Sequence, residues 1–218
     1  MDEQQWIANL LKENDRDAKL TEKQIKILKA AVETFAEKGY ASTSTSEIAK
    51  KAGVAEGTIF RHYKTKKDLL LAIVIPTLTK VIVPTVAKEF AKDVFENQYE
   101  SYEDFLRALI KNRYHFIKKN LPLVRIFWQE FAFHPEIKEE FQKAFTENVY
   151  QRFKEMVEQF QEKGEIVELP TASIIRMTIT TIGGFFLTRF VIMPEHEWDD
   201  EVEIERTIQF LMNGLRKR

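Results

Sequence analysis

Hydrogen-bond donors and cations are concentrated in one short stretch of this 218-residue chain. The set is Thr58, Arg61, His62, Tyr63, Lys64 and Lys66. Side chains of these types bond to the phosphates and base edges of DNA. Ser44 and Thr45 precede them at the start of a predicted short helix, where backbone N–H groups and the helix dipole can hold a phosphate. The pattern indicates a polyanion site, although charge alone equally allows a solvated basic face.

Three short helices must position these side chains. Capping-box patterns at Thr21 and Ser44 begin the first two helices, and a glycine ends each of them. The third helix covers residues 55–63, so residues 45–64 have the spacing of a helix-turn-helix motif. In that motif the side chains at the start of the second helix enter the major groove of DNA. The residues expected to hold the helices together in a core are Val32, Phe35, Ile48, Val54 and Ile59.

The same region is similar to a known family. The matching positions are Thr43-Ser44, Ile48-Ala49, Ala52-Gly53-Val54, Gly57-Thr58-Ile59-Phe60, His62-Tyr63, Lys66 and Leu69. Together they resemble the N-terminal signature of TetR-family transcriptional repressors over residues 21–70. Two positions depart from that signature: Phe60 stands where the family usually has Tyr, and Ala55 stands where a capping Ser is frequent.

The resemblance implies a homodimer that binds a palindromic operator in double-stranded DNA and releases it when a small ligand binds. Each chain would place residues 56–62 in the major groove of one half-site. By position, the resemblance assigns DNA contact to Thr58, Arg61, His62, Tyr63 and Lys66. Thr58 and Arg61 would read bases or phosphates, and the other three would contact phosphates or anchor the end of the helix.

The chain as a whole is predicted to be all-α. It has 17 Phe, 7 Gly and 6 Pro, and no strand-like alternation. Residues 1–20 are predicted to form an N-terminal arm or short helix and residues 21–70 the DNA-binding domain. Residues 71–218 are predicted to form a larger helical bundle for ligand binding and dimerisation. The longer helices expected there begin at Leu69 and cover 101–119, 120–134, 135–163, 172–193 and 199–215.

Polar side chains within apolar helices are candidates for ligand contact, because burying them unpaired is costly. The candidate ligand residues are the polar Arg113, Arg176 and Thr180 and the aromatic Trp128 and Phe131. The many aromatic side chains of the larger domain suit an apolar or amphipathic effector. For Arg176 three interpretations stay open: an anionic ligand head, an acidic neighbour, or the rim of a dimer interface.

The helices over 172–193 and 199–215 resemble the pair that forms the dimer in the family. The candidate interface residues are Ile175, Ile179, Ile182, Gly183, Phe186 and Phe190. An exposed apolar stripe this broad would be a liability on a monomer. The alternative is packing within one chain, or a kink at Gly183-Gly184.

Other functional classes find little support. The chain has no Cys, which excludes disulfides, thiolate metal sites and Cys nucleophiles. Phosphate-loop, dinucleotide-binding, metalloprotease and serine-hydrolase motifs are absent. Glu130 and His134 are one helical turn apart, but two ligands are weak evidence for a metal, and a surface pair or a helix-end pair is favoured. We expect no enzyme activity, cofactor or metal; the alternatives are a helical protein-interaction module and, last, a helical-bundle enzyme.

Charge and hydropathy favour a cytoplasmic protein without a membrane partner. The net charge is −1, yet residues 21–70 hold ten Lys or Arg against six Asp or Glu, a net charge of +4. The first six residues lack the basic and apolar features of a signal peptide. The most apolar stretch contains Arg176 and Arg189, which fits a buried or interface helix better than a membrane span.

Overall fold

The structure, a computed structural model, describes residues 21–76 and 90–216, and the predicted all-α class is confirmed. The α-helices are α1 (Glu22–Lys38), α2 (Thr45–Ala52), α3 (Glu56–His62), α4 (Lys66–Pro76), α5 (Tyr102–Lys119), α6 (Leu121–Glu130), α7 (Pro135–Phe145), α8 (Gln151–Glu162), α9 (Thr171–Leu187) and α10 (Asp200–Leu215). Over the same residues, β pairing is limited to an isolated bridge between Ile166 and Arg216. The predicted arm over residues 1–20 lies outside the described part of the chain.

Local signals set the ends of α1 and α2 as predicted. Thr21 and Ser44 each accept a hydrogen bond from the backbone N–H three residues on, and that residue's side chain accepts one in return. Gly39 (φ 78°) and Gly53 (φ 68°) end the two helices with positive φ angles, which glycine adopts without a steric penalty. The left-handed Gly53 makes the tight turn that leads into α3.

α6 is shorter than predicted, because it ends at Glu130 rather than near His134. The N–H groups of Phe133 and His134 both donate to the carbonyl oxygen of Glu130, at 3.0 and 3.1 Å, and close its last turn. Pro135 then disfavours a helical conformation at His134 and occupies the first position of α7.

Two long helices predicted as uniform contain a π-helical turn. These turns cover Thr146–Tyr150, between α7 and α8, and Thr188–Ile192, after α9; a third covers Ala91–Phe95. The N–H of Met193 bonds to the carbonyl oxygen of Thr188 at 2.8 Å, a span one residue longer than in an α-helix. Each such turn inserts a residue and rotates the side chains that follow it.

Residues 21–76 and 122–144 form one compact unit, so the helix-turn-helix packs with the hairpin α6–α7. Its core includes Phe35, Ile48, Ile59, Leu69, Ile126 and Ile137. Of the predicted core residues, Val32, Phe35, Ile48 and Ile59 are buried, and Val54 packs against them half-buried. The boundary near residue 70 stays a prediction.

Residues 90–121 and 145–216 form the second compact unit. Aromatic rings fill its core: Phe105 lies 5.5 Å from both Tyr102 and Phe153, centroid to centroid, and Tyr102 lies 5.6 Å from Phe160. In the described ranges one helix, Thr171–Ile192, is long and apolar enough to span a membrane, and 33% of an 18-residue apolar segment within it is buried.

Candidate nucleic-acid interface

α3 is an exposed helix held to the core by a single buried side chain, Ile59. The helix exposes Phe60, Arg61 and His62, and Thr58 is half-buried. Contact with a groove of DNA requires this accessibility, so the geometry supports the predicted roles of Thr58, Arg61 and His62. Their contacts with DNA stay predictions.

Several cations around α3 are not neutralised by the protein. Over the described ranges, Lys50, Arg61 and Lys64 have no carboxylate within 4.0 Å. By contrast, Nζ of Lys51 lies 3.3 Å from Glu33 and 3.0 Å from Glu37. The uncompensated positive charge near α3 therefore lies at the end of α2, on α3 and in the turn after α3.

Carboxylates of the motif itself occupy the N-termini of α2 and α3. Thr45 Oγ1 donates to Glu56 Oε1 at 2.6 Å, and the Ser44 N–H donates to Glu47 Oε2 at 3.2 Å. Ala55 supplies no side-chain cap, so Glu56 provides the negative charge that the start of α3 favours. A phosphate at Ser44 or Thr45 would compete with these two carboxylates.

Lys66 holds the loop between α1 and α2. Its Nζ donates to the carbonyl oxygens of Tyr40 (2.9 Å), Thr43 (3.0 Å) and Ala41 (3.4 Å), and it lies 4.4 Å from the centroid of the Tyr40 ring. An ammonium group has three donors, and these carbonyl oxygens use all of them. Of the two predicted roles for Lys66, the geometry supports the anchor rather than the phosphate contact.

Tyr63 is also an anchor in this geometry. It is 8% exposed and belongs to the core of the first unit. Burial raises the pKa of Tyr63 to about 12, so its hydroxyl group stays neutral at physiological pH. The ring of His62 lies 6.3 Å from the Tyr63 ring but remains exposed, which leaves His62 as the accessible member of the pair.

A buried acid–base pair joins the hairpin α6–α7 to the loop after α1. His134 Nε2 lies 3.0 Å from Glu130 Oε2, and the His134 ring meets the Tyr40 ring edge-on at 5.7 Å. Both members are buried, so the interpretation as a surface pair is wrong and the helix-end interpretation is right. Lys67 and Glu136 add an ion pair of 3.2 Å. Within the described residues, no group of three or more His, Cys, Asp or Glu could hold a metal.

The candidate ligand residues do not share one compact unit. Trp128 and Phe131 belong to the first unit, and Arg113, Arg176 and Thr180 belong to the second. Arg176 and Thr180 are exposed on α9, and the Thr180 hydroxyl donates to the Arg176 carbonyl oxygen at 2.9 Å. Exposure favours the interface rim for Arg176. Arg113 lies instead among aromatic rings.

Most of the predicted dimer stripe is internal to the chain. Ile175, Ile182, Phe186 and Phe190 expose 6% of their surface or less, because they pack in the second unit. They have little area left for a partner. Ile179 and Gly183 remain accessible.

Another set of apolar side chains, which shares only Ile179 with the predicted stripe, is exposed on α9 and α10. It consists of Met177, Ile179, Leu187, Val202 and Phe210. Phe210 is 71% exposed, and sequence reasoning missed it. The helical spacing could have identified it. Ile204, Ile208, Leu211 and Leu215 form the buried stripe of α10, and Phe210 lies outside this stripe.

The second unit also has an open cleft of about 590 Å³, lined by residues of α5 and by residues 197–201. Its lining is polar, and two of its carboxylates are paired: Asp200 with Arg189 at 2.6 Å and Glu201 with Lys111 at 2.6 Å. This cleft does not fit the apolar effector that the aromatic content suggested.

Residues 27–73 match the model of a family described as bacterial regulatory proteins, tetR family. The fatty acid metabolism regulator protein of Bacillus subtilis (strain 168) is 49% identical over 51 residues. That match covers 23% of this chain and only 26% of the relative.

Longer matches extend the likeness over most of the chain. The HTH-type transcriptional regulator YvdT of the same organism is 26% identical over 197 residues, 87% of this chain and 93% of that protein. The crystal structure of the transcriptional regulator FadR from Bacillus subtilis, in complex with stearoyl-CoA, aligns with a TM-score of 0.64 and 22% identity. It covers 87% of this chain and 98% of that one, and shows a shared fold.

Proposed function

We propose that this chain is a transcriptional regulator of the tetR family, whose family model residues 27–73 match, and that its α3 reads an operator. The exposed face of α3 carries the proposal, because Arg61 and His62 are accessible on a helix that a buried core holds in place. Arg61 can bond to guanine in the major groove. The unpaired cations Lys50 and Lys64 supply phosphate contacts on either side.

Phe60 adds an apolar contact to this surface. It is 47% exposed beside Arg61 and lacks the hydroxyl group that the family usually presents there. A phenyl ring cannot bond to a phosphate, but it can contact the C5-methyl group of thymine in the major groove. Each half-site is therefore expected to contain a thymine next to the base that Arg61 reads.

The regulator would act as a homodimer on a palindromic operator. The exposed apolar side chains of α9 and α10 support this step, above all Phe210 at 71% exposure. Gly183 and Gly184 lack side chains that would keep a partner helix away. A two-fold axis would place one α3 in each half-site, with half-sites about 10 base pairs apart.

A small apolar or amphipathic effector would release this repressor from DNA in the cytoplasm. The aromatic core of the second unit, centred on Phe105, suits such a molecule. The FadR relative described with stearoyl-CoA supports the same class of effector.

Selective binding to duplex DNA tests the regulator proposal. The purified protein is titrated with its own upstream duplex and with a scrambled duplex, over a range of salt concentrations. Tight binding to the upstream duplex is expected, and Arg61→Ala should weaken it by about 1–3 kcal/mol and relax selectivity at one base pair. Arg152→Ala is the matched control, because Arg152 is an exposed arginine on α8 in the other unit.

Two results would contradict the proposal. Equal, weak and salt-sensitive binding to both duplexes, extended to a random-sequence selection without enrichment, would show non-specific attraction alone. Selective binding that survives unchanged in the Arg61→Ala protein would remove Arg61 as a base reader.

A further inference from the structure

α5 carries a cation in the middle of its buried stripe. Leu106, Ile110 and Ile117 are buried on this helix, and Arg113 lies in register with them at spacings of three and four residues. A guanidinium group at such a position must find partners, because an unpaired charge away from water is costly.

The partners that Arg113 has are neutral. Its Cζ lies 3.9 Å from the centroid of the Phe90 ring and 5.0 Å from that of Phe116. Its Nε and Nη2 donate to Asn112 Oδ1 at 3.1 and 2.5 Å. Of the carboxylates in the described ranges none lies within 4.0 Å, and Asp93 acts only from further away.

Burial lowers the pKa of Arg113 to about 10, which still leaves the group charged at neutral pH. Two other arginines of the same unit, Arg107 and Arg189, are compensated. Arg107 Nε donates to Glu205 Oε1 at 2.8 Å, and Arg189 Nε donates to Asp200 Oδ1 at 2.6 Å. Arg113 is more buried than either and has no carboxylate within 4.0 Å among the described residues, so it is open to an anion from outside the chain.

Aromatic rings lead from this guanidinium into the core of the unit. The Phe90 ring lies 5.2 Å from the Phe95 ring, which lies 5.8 Å from Phe105 and 6.0 Å from Phe153. Phe90 is 5% exposed, so the apolar tail of a ligand with its charged head at Arg113 would have to enter between these rings.

We propose that Arg113 binds the anionic head of an amphiphilic effector, a carboxylate or a phosphate, while the apolar tail packs against the rings of Phe90 and Phe95. A guanidinium fork binds either head with two parallel hydrogen bonds. This inference rests on the proposed response to a ligand and names the head-group chemistry that the response uses.

Direct binding to the full-length protein tests it without DNA. Isothermal titration is run with dodecanoate, dodecyl phosphate and 1-dodecanol, which share a tail and differ in the head. The anionic probes are expected to bind about ten- to a hundredfold more tightly than the alcohol. A preference for dodecanoate assigns the head as a carboxylate, and a preference for dodecyl phosphate assigns it as a phosphate. Equal affinity for the alcohol, or no saturable binding of any probe, overturns the proposal.

Variants separate ligand recognition from packing. Arg113→Gln should lose the preference for anionic probes and keep the affinity for 1-dodecanol. Arg152→Gln, on the exposed surface of the same unit, should keep both. Without ligand, Arg113→Gln should melt at the wild-type temperature or above, because it removes an uncompensated charge. A lower melting temperature with an intact preference for anions would show a packing role instead.

Arg113→Lys provides a second route if the Gln variant does not fold. It retains the charge but not the fork, so a reduced preference for anions supports the proposal and an undiminished preference contradicts the bidentate geometry. The DNA titration is scored separately, so a chain that binds the anionic probes but no operator would refute the regulator and not this site.

Discussion

Replacing Lys66 with Met is expected to destabilise the first compact unit without changing the number of phosphate contacts. The Lys66 ammonium bonds to the carbonyl oxygens of Tyr40, Thr43 and Ala41 in the loop between α1 and α2. Met keeps most of the apolar stem and removes only the charged head. The substitution therefore separates a scaffold role from a contact with DNA.

The magnitude follows from the geometry of these bonds. A hydrogen bond to a charged group contributes about 1.5–3 kcal/mol when it is well formed. The bonds to Tyr40 and Thr43, at 2.9 and 3.0 Å, qualify, while the bond to Ala41 at 3.4 Å is weak. Lys66 is only half-buried, so water replaces part of what is lost. With these discounts, and with the Tyr40 ring contact included, the loss is about 2–4 kcal/mol.

Thermal unfolding and hydrogen exchange of the amides of residues 40–43 measure the effect. The variant should unfold at a lower temperature and exchange faster in this loop, while the slope of log K against log salt stays at the wild-type value. Lys64→Met is the control, because Lys64 is exposed and has no carboxylate partner among the described residues. It should keep its melting temperature and lower the slope by about 0.9. A Lys66→Met protein with wild-type stability and a slope lowered by that amount would refute the scaffold role.

Two further predictions concern the second unit. Phe210→Asp should convert the proposed dimer to a monomer in sedimentation analysis with the helical content unchanged, because Phe210 is 71% exposed. Phe133→Asp is the control, since Phe133 is 77% exposed in the first unit. An unchanged mass of the Phe210→Asp protein would remove Phe210 from the interface. Burial alone would raise the pKa of Asp200, but hydrogen bonds from Arg189 and Tyr114 outweigh it and hold the pKa below the usual 3.8. The unfolded state then binds the proton first, so the stabilisation is complete above about pH 5 and is lost as the pH falls further. The difference in unfolding free energy between wild type and Asp200→Asn should shrink over that range, and a difference that does not change with pH would contradict the argument.

The helices of the DNA-binding motif could be predicted because their signals are local. The caps at Thr21 and Ser44 and the positive φ angles of Gly39 and Gly53 depend on a few neighbouring residues. These signals hold whatever the rest of the chain does. Only Ala55 lacked such a signal, and α3 begins there without a side-chain cap.

The roles of single side chains were harder to predict, since they depend on partners that are distant in sequence. Tyr63 and Lys66 lie in the same stretch as Arg61 and, like it, are hydrogen-bond donors. Tyr63, however, packs in the core, and Lys66 donates to carbonyl oxygens of residues 40–43. The burial of Glu130 and His134 follows from the packing of α6–α7 with the helix-turn-helix within the first unit, and the sequence of residues 122–144 does not indicate this packing.

At Arg113 and Phe210 the residue type does not match the position in the helix, and this mismatch separates function from folding. Arg113 lies in register with a buried stripe although it is charged, and Phe210 lies outside a buried stripe although it is apolar. Folding stability alone would favour an apolar residue at the first position and a polar residue at the second. Ile175 and Phe186, by contrast, are apolar where the helix is buried, and packing explains them completely. Because of this mismatch, Arg113 is the residue to test first for ligand binding and Phe210 the residue to test first for dimerisation. Both come before the buried apolar stripe that contains Ile175 and Phe186.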